Sequence, residues 1–251
     1  MHSTVSSIYS YLIVQLLPTY GQGESQSLAD ILLEDMLEIT RTKRLTQPNH
    51  EIYPSQQKLI ESALIRLKEQ EPIQHIVGFA QFCGHRFIVT PDTLIPRPET
   101  EELVYLVAKE NKDQVDILDI GTGTGCIPIS LQHLMPEAKL YGWDISDAAL
   151  KVAEENNKEL KSSVQFKRMD ALDLQTNQKF DIVISNPPYI PETDKSSMHE
   201  NVLNYEPELA LFVDDEDPLL FYRKIGEFGA SNLNGGGKLY FEIHERFGEA
   251  T

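Results

Sequence analysis

The residues best suited to chemistry form one uninterrupted tetrapeptide, Asn186-Pro187-Pro188-Tyr189. It follows a predicted strand over residues 181–185. Each proline fixes its own φ, and a residue before proline is confined to extended conformations, so the segment is stiff without tertiary partners. A stiff segment can hold a weakly nucleophilic group in one orientation. The tetrapeptide is therefore the first candidate for a catalytic site.

An amide nitrogen is a weak nucleophile of this kind, because its lone pair is delocalised into the carbonyl group. The Asn186 side-chain oxygen and the Pro187 carbonyl oxygen can both accept hydrogen bonds from an acceptor NH2 group, which would direct the nitrogen at a methyl group on a sulfonium. The Tyr189 ring would lie against the planar acceptor and exclude water. The predicted chemistry is in-line methyl transfer to an amide nitrogen. The alternative interpretation of the tetrapeptide is a rigid turn with a buried tyrosine.

A glycine-rich loop precedes the tetrapeptide in the chain, Gly121-Thr122-Gly123-Thr124-Gly125. It joins a predicted strand over 116–120 to a predicted helix over 127–135, and glycines there let the backbone approach a ligand closely. The spacing is GxGxG, not the dinucleotide pattern GxGxxG, and the loop lacks the Lys-Ser/Thr pair of a phosphate-binding P-loop. The loop therefore favours a nucleoside-type cofactor without a pyrophosphate.

Two acidic residues follow later strands and are candidate cofactor ligands. Asp144 ends a predicted strand over 139–144, where a carboxylate can accept hydrogen bonds from both ribose hydroxyls. The alternative for Asp144 is the N-cap of a predicted helix over 145–156. Asp170 could receive an adenine amino group, or could be a solvated loop acid. The glycine-rich loop, the acidic residues and the tetrapeptide occur in this order along the chain. This order predicts an S-adenosylmethionine-dependent methyltransferase that releases S-adenosylhomocysteine.

The elements around these motifs predict an α/β protein with a doubly wound sheet. Strand-like runs alternate with helical segments after the junction, at 116–120, 139–144, 164–169, 181–185 and 238–243. Residues 1–75 have a helical pattern, with Pro54 suited to the start of one helix and Pro72 to its end. Residues 76–96, rich in aromatic residues and glycine, predict a hairpin linker. We expect a methyltransferase domain over 97–251.

Composition excludes several other classes of protein. A formal charge of -17 over 251 residues repels a phosphate backbone and favours a basic partner, so no nucleic-acid partner is expected. Cys83 and Cys126 show no paired spacing, which fits the reducing cytoplasm. The 7 histidines show no metal-ligand spacing, so no metal is expected. The apolar run 11–17 is too short to cross a membrane and is interpreted as the buried face of a helix.

The motifs together resemble those of the HemK/PrmC family, the protein-(glutamine-N5) methyltransferases that act on class 1 peptide-chain-release factors. The resemblance covers most of residues 72–243. The matching stretches are 78–87, 94–101 with the IPRPETE sequence, 117–129, NPPYIP at 186–191, and 205–207. IPRPETE together with NPPYIP is specific, whereas NPPY alone is shared with adenine-N6 DNA methyltransferases.

The resemblance implies roles for residues at matching positions. Gly121 to Gly125, Asp144 and Ala171 correspond to S-adenosylmethionine contacts, and Asn186 is also expected to contact the cofactor. Asn186 to Tyr189 correspond to the acceptor clamp. The helical N-terminal part would help to dock the release factor. Family members usually continue past the strand at 238–243 with a helix and two strands, whereas this sequence stops at Thr251. We therefore expect one unpaired sheet edge in this chain.

Two other functions remain open at this point. An adenine-N6 nucleic-acid methyltransferase would use the same clamp on an exocyclic amino group, although its substrate channel should be basic. A non-catalytic S-adenosylmethionine-binding adaptor would keep the fold and lose turnover. Arg97 in the IPRPETE stretch either orders the cofactor pocket or forms a salt bridge at the junction.

Overall fold

The computed structural model describes residues 4–112 and 114–251, which divide into two compact units with the boundary after Gly78. The predicted hairpin therefore belongs to the second unit, where the structure places it as paired strands. Within the described residues, no helix is long and apolar enough to cross a membrane. Both cysteines are free thiols.

The first unit is built from four helices, α1 (Val5–Leu37), α2 (Arg41–Thr46), α3 (Pro54–Lys68) and α4 (Ile73–Val77). The Thr4 side chain caps the start of α1, and Gly21 interrupts that helix with a φ of 70°. Leucines and isoleucines of α1 and α3 form the core of this unit. The predicted start of a helix at Pro54 is confirmed.

Two predictions for this unit are wrong in detail. Pro72 does not end α3, which stops at Lys68, but instead precedes the separate short helix α4. The run 11–17 is only partly buried: Leu12 and Leu16 lie in the core, whereas Val14 is 63% exposed. A helix turns through about 100° per residue, so the side chains of seven consecutive residues cannot all point to one side.

The second unit opens with the hairpin β1 (Phe79–Phe82) and β2 (His85–Ile88). A sheet of five parallel strands follows, in the order β5-β4-β3-β6-β9. Its strands are β3 (Asp116–Ile120), β4 (Lys139–Asp144), β5 (Gln165–Arg168), β6 (Phe180–Ser185) and β9 (Leu233–Phe241). The doubly wound sheet predicted from the sequence is confirmed.

Helices and short strands complete the second unit. The helices are α5 (Pro98–Glu110), α6 (Cys126–Leu134), α7 (Asp147–Glu159), α8 (Glu200–Tyr205), α9 (Glu208–Leu211) and α10 (Leu220–Asn232), with 3₁₀ turns at Glu192–Ser197 and Glu245–Phe247. A second small pairing joins β7 (Ile190–Pro191) to β8 (Phe212–Val213).

Alternate residues of the central strands pack on opposite faces of the sheet. Ile117 and Ile182 belong to one core cluster, and Leu118 and Val183 belong to the other. A strand covered on both faces is apolar at nearly every position, which is how β3 and β6 could be recognised in the sequence. The sheet therefore holds the residues after each strand in fixed relative positions.

The last strand differs most from its prediction, since β9 begins at Leu233 instead of residue 238. Phe180 of β6 pairs with Leu233, but Ile182 pairs with Lys238, so an irregular segment interrupts the register. Residues 235–237 are three glycines, and Gly236 has a φ of 83°. Glycine is depleted in strands and marks bulges, so the first part of β9 has no strand-like pattern. In the described part of the chain, β9 lies at one edge of the sheet beside β6.

Candidate active site

The second unit contains a cavity of about 220 Å³ at the carboxyl ends of the parallel strands. The strand order reverses at β3, which has β4 on one side and β6 on the other. A doubly wound sheet binds ligands at such a switch point. Seven of the residues predicted for the site line this cavity: Gly121, Gly123, Asp144, Asp170, Ala171, Asn186 and Pro188.

The glycine-rich loop presents backbone to the cavity at two positions. Gly121 and Gly123 have φ values of 77° and 54°, in the left-handed region that favours glycine. A Cβ atom built on either would meet nothing within 4 Å, so both glycines leave open space beside the cavity. The Gly121 N–H donates to the Trp143 carbonyl oxygen at 2.8 Å. The loop is thereby fixed against β4 while its outer face stays accessible to a ligand.

The other three loop residues face the protein interior. Thr122 and Thr124 are buried and do not line the cavity. Gly125 begins α6, and a Cβ there would lie 3.0 Å from the Phe166 ring. These residues are therefore placed to shape the loop and not to contact a ligand through their side chains.

The Asp144 carboxylate is held by two backbone N–H groups beside the cavity. Gly123 donates to its Oδ2 and Ser146 to its Oδ1, both at 2.9 Å. Burial raises the pKa of this carboxyl, and the hydrogen bonds from Ser146 and Gly123 act in the opposite direction. The helix N-cap alternative is wrong, because the Ser146 hydroxyl caps α7 by accepting from the Ala149 N–H. Asp144 retains lone pairs that can accept from ribose hydroxyls.

Asp170 and Ala171 lie on the same side of the cavity after β5. The Asp170 carboxylate accepts the Leu172 N–H at 2.8 Å, which shapes this turn. Apolar side chains of Ile145, Leu172 and Leu209 line the cavity nearby. An apolar slot with one carboxylate suits a flat heteroaromatic ring that carries an amino group.

Asn186 and Tyr189 are joined through two residues that sequence reasoning did not single out. Asn186 Nδ2 donates to Thr100 Oγ1 at 3.3 Å, and the Thr100 hydroxyl donates to Glu242 Oε2 at 2.6 Å. The Tyr189 hydroxyl donates to the other oxygen of Glu242 at 3.2 Å. Burial and the Glu242 charge raise the pKa of Tyr189 above its usual range, so its hydroxyl stays protonated. Thr100 is part of IPRPETE, which gave the available signal; Glu242 had none.

A second cavity of about 120 Å³ lies on the other side of the tetrapeptide. Pro187 and Tyr189 line it, whereas Pro188 lines the first cavity. Leu94, Asn186 and Ala210 line both. Asn186 therefore stands between two adjoining spaces, and a group transferred from one to the other would pass it.

A partly buried ion pair supports the wall that both cavities share. Arg97 Nη2 lies 2.6 Å from Glu206 Oε1, and the Glu206 side chain is 1% exposed. The second oxygen of Glu206 accepts the Ile95 N–H at 3.0 Å. Arg97 thus forms a salt bridge, as one interpretation expected, but both partners lie within the second unit instead of at the junction, and Arg97 also lines the second cavity.

Asp119 is a buried acid that sequence reasoning missed. It is fully buried near the end of β3, and burial raises the pKa of its carboxyl to about 7, partly offset by the Thr122 hydroxyl. The Thr122 hydroxyl lies near the carboxyl group, but neither carboxyl oxygen has a partner in hydrogen-bond geometry within the described residues. The available signal was a charged residue inside an otherwise apolar strand.

The residues of the first cavity fit an S-adenosylmethionine molecule. Open glycine backbone, a carboxylate with free lone pairs and an apolar slot occur together in one space. The second cavity adjoins them at Asn186, so donor and acceptor would meet there. Within the described residues, no group of three or more acidic, histidine or cysteine side chains could hold a metal ion. The fold and the site together are those of a doubly wound methyltransferase.

Comparison with known proteins gives the family. The family described as "Methyltransferase small domain" matches residues 100–206, and the "PrmC N-terminal domain" matches residues 13–78. Release factor glutamine methyltransferase from Bacteroides thetaiotaomicron is 47% identical over 98% of this chain and 89% of its own length. The protein of that name from Flavobacterium psychrophilum is 44% identical over 97% and 88%. The chain belongs to the release factor glutamine methyltransferase (PrmC) family, as its motifs indicated.

Solved structures show a weaker likeness. A methyltransferase from Pyrococcus furiosus covers 77% of this chain and 80% of its own, with 17% identity and a TM-score of 0.49. TrmN from Thermus thermophilus covers 55% of this chain and 35% of its own, with 21% identity and a TM-score of 0.41. The family assignment rests on the sequence relatives.

Proposed function

We propose that this chain transfers a methyl group from S-adenosylmethionine to the side-chain amide nitrogen (N5) of a glutamine in a class 1 peptide-chain-release factor. The observation that carries the proposal is the position of Asn186, which lines both the cavity suited to the cofactor and the smaller cavity beside it. Membership of the release factor glutamine methyltransferase family supports the same acceptor.

The first cavity holds the cofactor through groups of known chemistry. The Asp144 carboxylate accepts from the ribose hydroxyls, and the open backbone at Gly121 and Gly123 lets the amino-acid part of the cofactor approach the loop. Asp170 accepts from the adenine amino group within the apolar slot. Bound there, S-adenosylmethionine supplies an electrophilic methyl group on a positively charged sulfur.

The tetrapeptide orients the acceptor amide in the second cavity. The Asn186 side-chain oxygen and the Pro187 carbonyl oxygen accept the two N–H bonds of the glutamine amide, which fixes the direction of its nitrogen. The Tyr189 ring covers the flat amide and excludes water. Tyr189 remains neutral because of its raised pKa, so it does not act as a base. Orientation, and not proton abstraction, is the main contribution of these residues.

The first unit supplies a separate surface for the acceptor protein. Its four helices form their own core, and residues 13–78 match the PrmC N-terminal domain. We assign it the docking of the release factor, with methyl transfer assigned to the second unit. No nucleic-acid partner is proposed, since a formal charge of -17 opposes binding to phosphate.

Methyl transfer from radiolabelled S-adenosylmethionine tests the proposal. The substrates are a purified class 1 release factor, the same factor with its acceptor glutamine replaced by asparagine, and duplex DNA. Label on the intact factor alone is expected. Label on DNA would establish a nucleic-acid methyltransferase instead, and cofactor binding without transfer to any substrate would support the adaptor function.

A further inference from the structure

We propose that Glu242 is a positioning residue, which acts through Thr100 to fix the orientation of the Asn186 amide and directly to fix the Tyr189 side chain. The inference rests on the proposed function and adds two residues to its machinery. The path from Asn186 to Glu242 spans two hydrogen bonds, of 3.3 Å and 2.6 Å. Neither Thr100 nor Glu242 lines either of the two cavities described above.

The orientation of the Asn186 amide decides whether the clamp attracts or repels its substrate. With its oxygen toward the acceptor, the side chain accepts an N–H from the glutamine amide. Turned by 180°, it presents its own NH2 group to another NH2 group, and no hydrogen bond forms. Oxygen and NH2 are nearly equal in size, so packing alone distinguishes the two orientations poorly. A hydrogen-bonding neighbour is needed to choose between them.

Glu242 determines the orientation of the Asn186 amide by fixing the direction in which the Thr100 hydroxyl donates its one proton. An ionised carboxylate only accepts hydrogen bonds, so the Thr100 proton is directed to Glu242 Oε2. The Thr100 oxygen can then only accept, and the Asn186 group facing it must be the NH2 donor. The Asn186 oxygen is left for the acceptor. Charge-assisted hydrogen bonds are the stronger kind, which makes this direction of donation stable.

The second oxygen of the same carboxylate holds the other end of the clamp. Tyr189 donates its hydroxyl proton to Glu242 Oε1 at 3.2 Å, so each oxygen serves one clamp residue. The Glu242 backbone is fixed in turn, since its N–H donates to the Ser185 carbonyl at 3.1 Å and its own carbonyl accepts the Tyr222 hydroxyl at 3.3 Å. Glu242 thus follows β9 directly beside the end of β6, where the tetrapeptide begins.

Thr100 separates Glu242 from the reacting atoms. Its side chain is buried, with the residue 2% exposed, and it lies between the carboxylate and Asn186. Glu242 therefore has no direct path for removing a proton from an acceptor that is bound beside Asn186. Its effect is on geometry, which predicts a loss of turnover with little change in cofactor affinity.

Four variants test the inference: Glu242→Gln, Thr100→Val, Thr100→Ser and the double variant Thr100→Val with Glu242→Gln. A glutamine can donate as well as accept, so it no longer dictates the direction of the Thr100 proton. We expect kcat to fall about 100-fold in Glu242→Gln and about 10-fold in Thr100→Val, with the cofactor Kd within twofold of wild type. Thr100→Ser keeps the hydroxyl and should restore most of the activity.

Two comparisons separate positioning from a merely structural role. The double variant should be no slower than Glu242→Gln alone, because both changes break the same path. The matched control is Glu227→Gln, which alters an exposed ion pair of the second unit and should keep full activity. Melting temperatures measured for every variant detect a loss of folding, and Thr100→Ser, the smallest change, remains informative in that case.

The outcomes also distinguish this inference from the proposed function. Wild type that methylates a release factor, with Glu242→Gln and Thr100→Val both within twofold of its kcat, would overturn the positioning role alone. Activity losses that multiply in the double variant, or a Thr100→Ser variant as slow as Thr100→Val, would also overturn it. Wild type that methylates no release factor would remove the proposed function, and the inference with it.

Discussion

At the scale of a single residue, Asn186 connects the two parts of the site, which are the cavity suited to the cofactor and the smaller cavity beside it. It lines both cavities, and its Nδ2 is already engaged by Thr100. We expect Asn186→Ala to lower kcat by about 1000-fold or more, since the acceptor loses its orienting oxygen. Cofactor affinity, measured by calorimetry, should change by less than threefold, because Asp144 and the loop backbone are intact. An equal loss of cofactor affinity would contradict this division of roles.

The buried Asp119 predicts an unusual dependence of stability on pH. Its pKa is raised from 3.8 to about 7 in the folded protein, so the folded chain holds this proton when the unfolded chain has released it. The stabilising contribution of this proton is complete below about pH 4 and is lost as the pH rises to about 7. We expect Asp119→Asn to raise the melting temperature relative to wild type, and to do so more at pH 8 than at pH 5.

A matched control for that prediction is Asp173→Asn, which changes an exposed acid in the same unit. Its melting temperature relative to wild type should stay nearly constant between pH 5 and pH 8. Equal shifts for Asp119→Asn at the two pH values would show that Asp119 is ionised throughout this range.

Individual site residues could be predicted where the chemistry is contiguous in sequence. The sequence identifies the tetrapeptide Asn186 to Tyr189 and the glycine-rich loop by the types of their residues and by their order in the chain. Thr100 and Glu242 are not identified in this way, because the hydrogen bond that joins them spans 142 positions of the chain. The IPRPETE sequence marks the neighbourhood of Thr100 but not its hydrogen bonds, and no local pattern marks Glu242. The pairing of β6 with β9 brings Glu242 beside the tetrapeptide, and Thr100 reaches the same place from the first turn of α5.

At the scale of elements, the packing of β4 against β5 determines the shape of the glycine-rich loop. A Cβ on Gly142 of β4 would lie 2.5 Å from the Phe166 ring and 2.8 Å from Thr122 Oγ1. We expect Gly142→Ala to destabilise the protein by about 1–3 kcal/mol through overpacking, and to weaken cofactor binding by displacing Thr122. Chemical denaturation and a cofactor titration measure the two effects.

Gly226 offers the control for this substitution. It lies within α10, and a Cβ there would meet nothing within 4 Å. Alanine favours a helix over glycine by about 0.5–1 kcal/mol, so Gly226→Ala should be neutral or slightly stabilising. A Gly142→Ala variant as stable as Gly226→Ala would mean that Phe166 moves aside freely.

The bounds of helices and strands were predicted most accurately where the local sequence pattern is strongest. β3 and β4 match their predicted bounds, because apolar runs that end at a glycine or an acid are sharply limited. The prediction for α7 began at residue 145, whereas the helix starts at Asp147 after its Ser146 cap. The glycine-rich start of β9 could not be predicted, since it depends on pairing with β6 and not on its own side chains.

At the scale of the whole molecule, a formal charge of -17 should govern the encounter with the acceptor protein. A basic partner is attracted at long range, and added salt screens that attraction. We expect kcat/KM for the release factor to fall about tenfold between 50 and 300 mM NaCl, by an effect on association. The cofactor Kd should change by less than threefold. A kcat/KM independent of salt would mean that the acidic surface does not steer this partner.

The class of fold and the existence of a helical first part were predictable from the sequence as a whole. Alternating helical and strand-like periods indicate a doubly wound sheet. Before residue 76 the pattern is helical without strand-like alternation, which indicates a region built of helices. The exact boundary after Gly78 was not predictable, because the hairpin has the composition of a linker. The hairpin itself was predicted, but its place in the second unit follows only from its packing, in which Phe82 and Phe87 join the core of that unit.

Trp143 gives the molecule an optical property of practical use. It is the single tryptophan of the chain, it is 2% exposed, and it packs against the Phe180 and Phe228 rings at 5.6 and 5.8 Å. Its carbonyl accepts the N–H groups of Gly121 and Thr122, and the next residue is Asp144. Tryptophan emission from this chain therefore arises at one place, beside the glycine-rich loop. It can report cofactor binding and unfolding of the second unit without a label, while the first unit contributes no tryptophan emission.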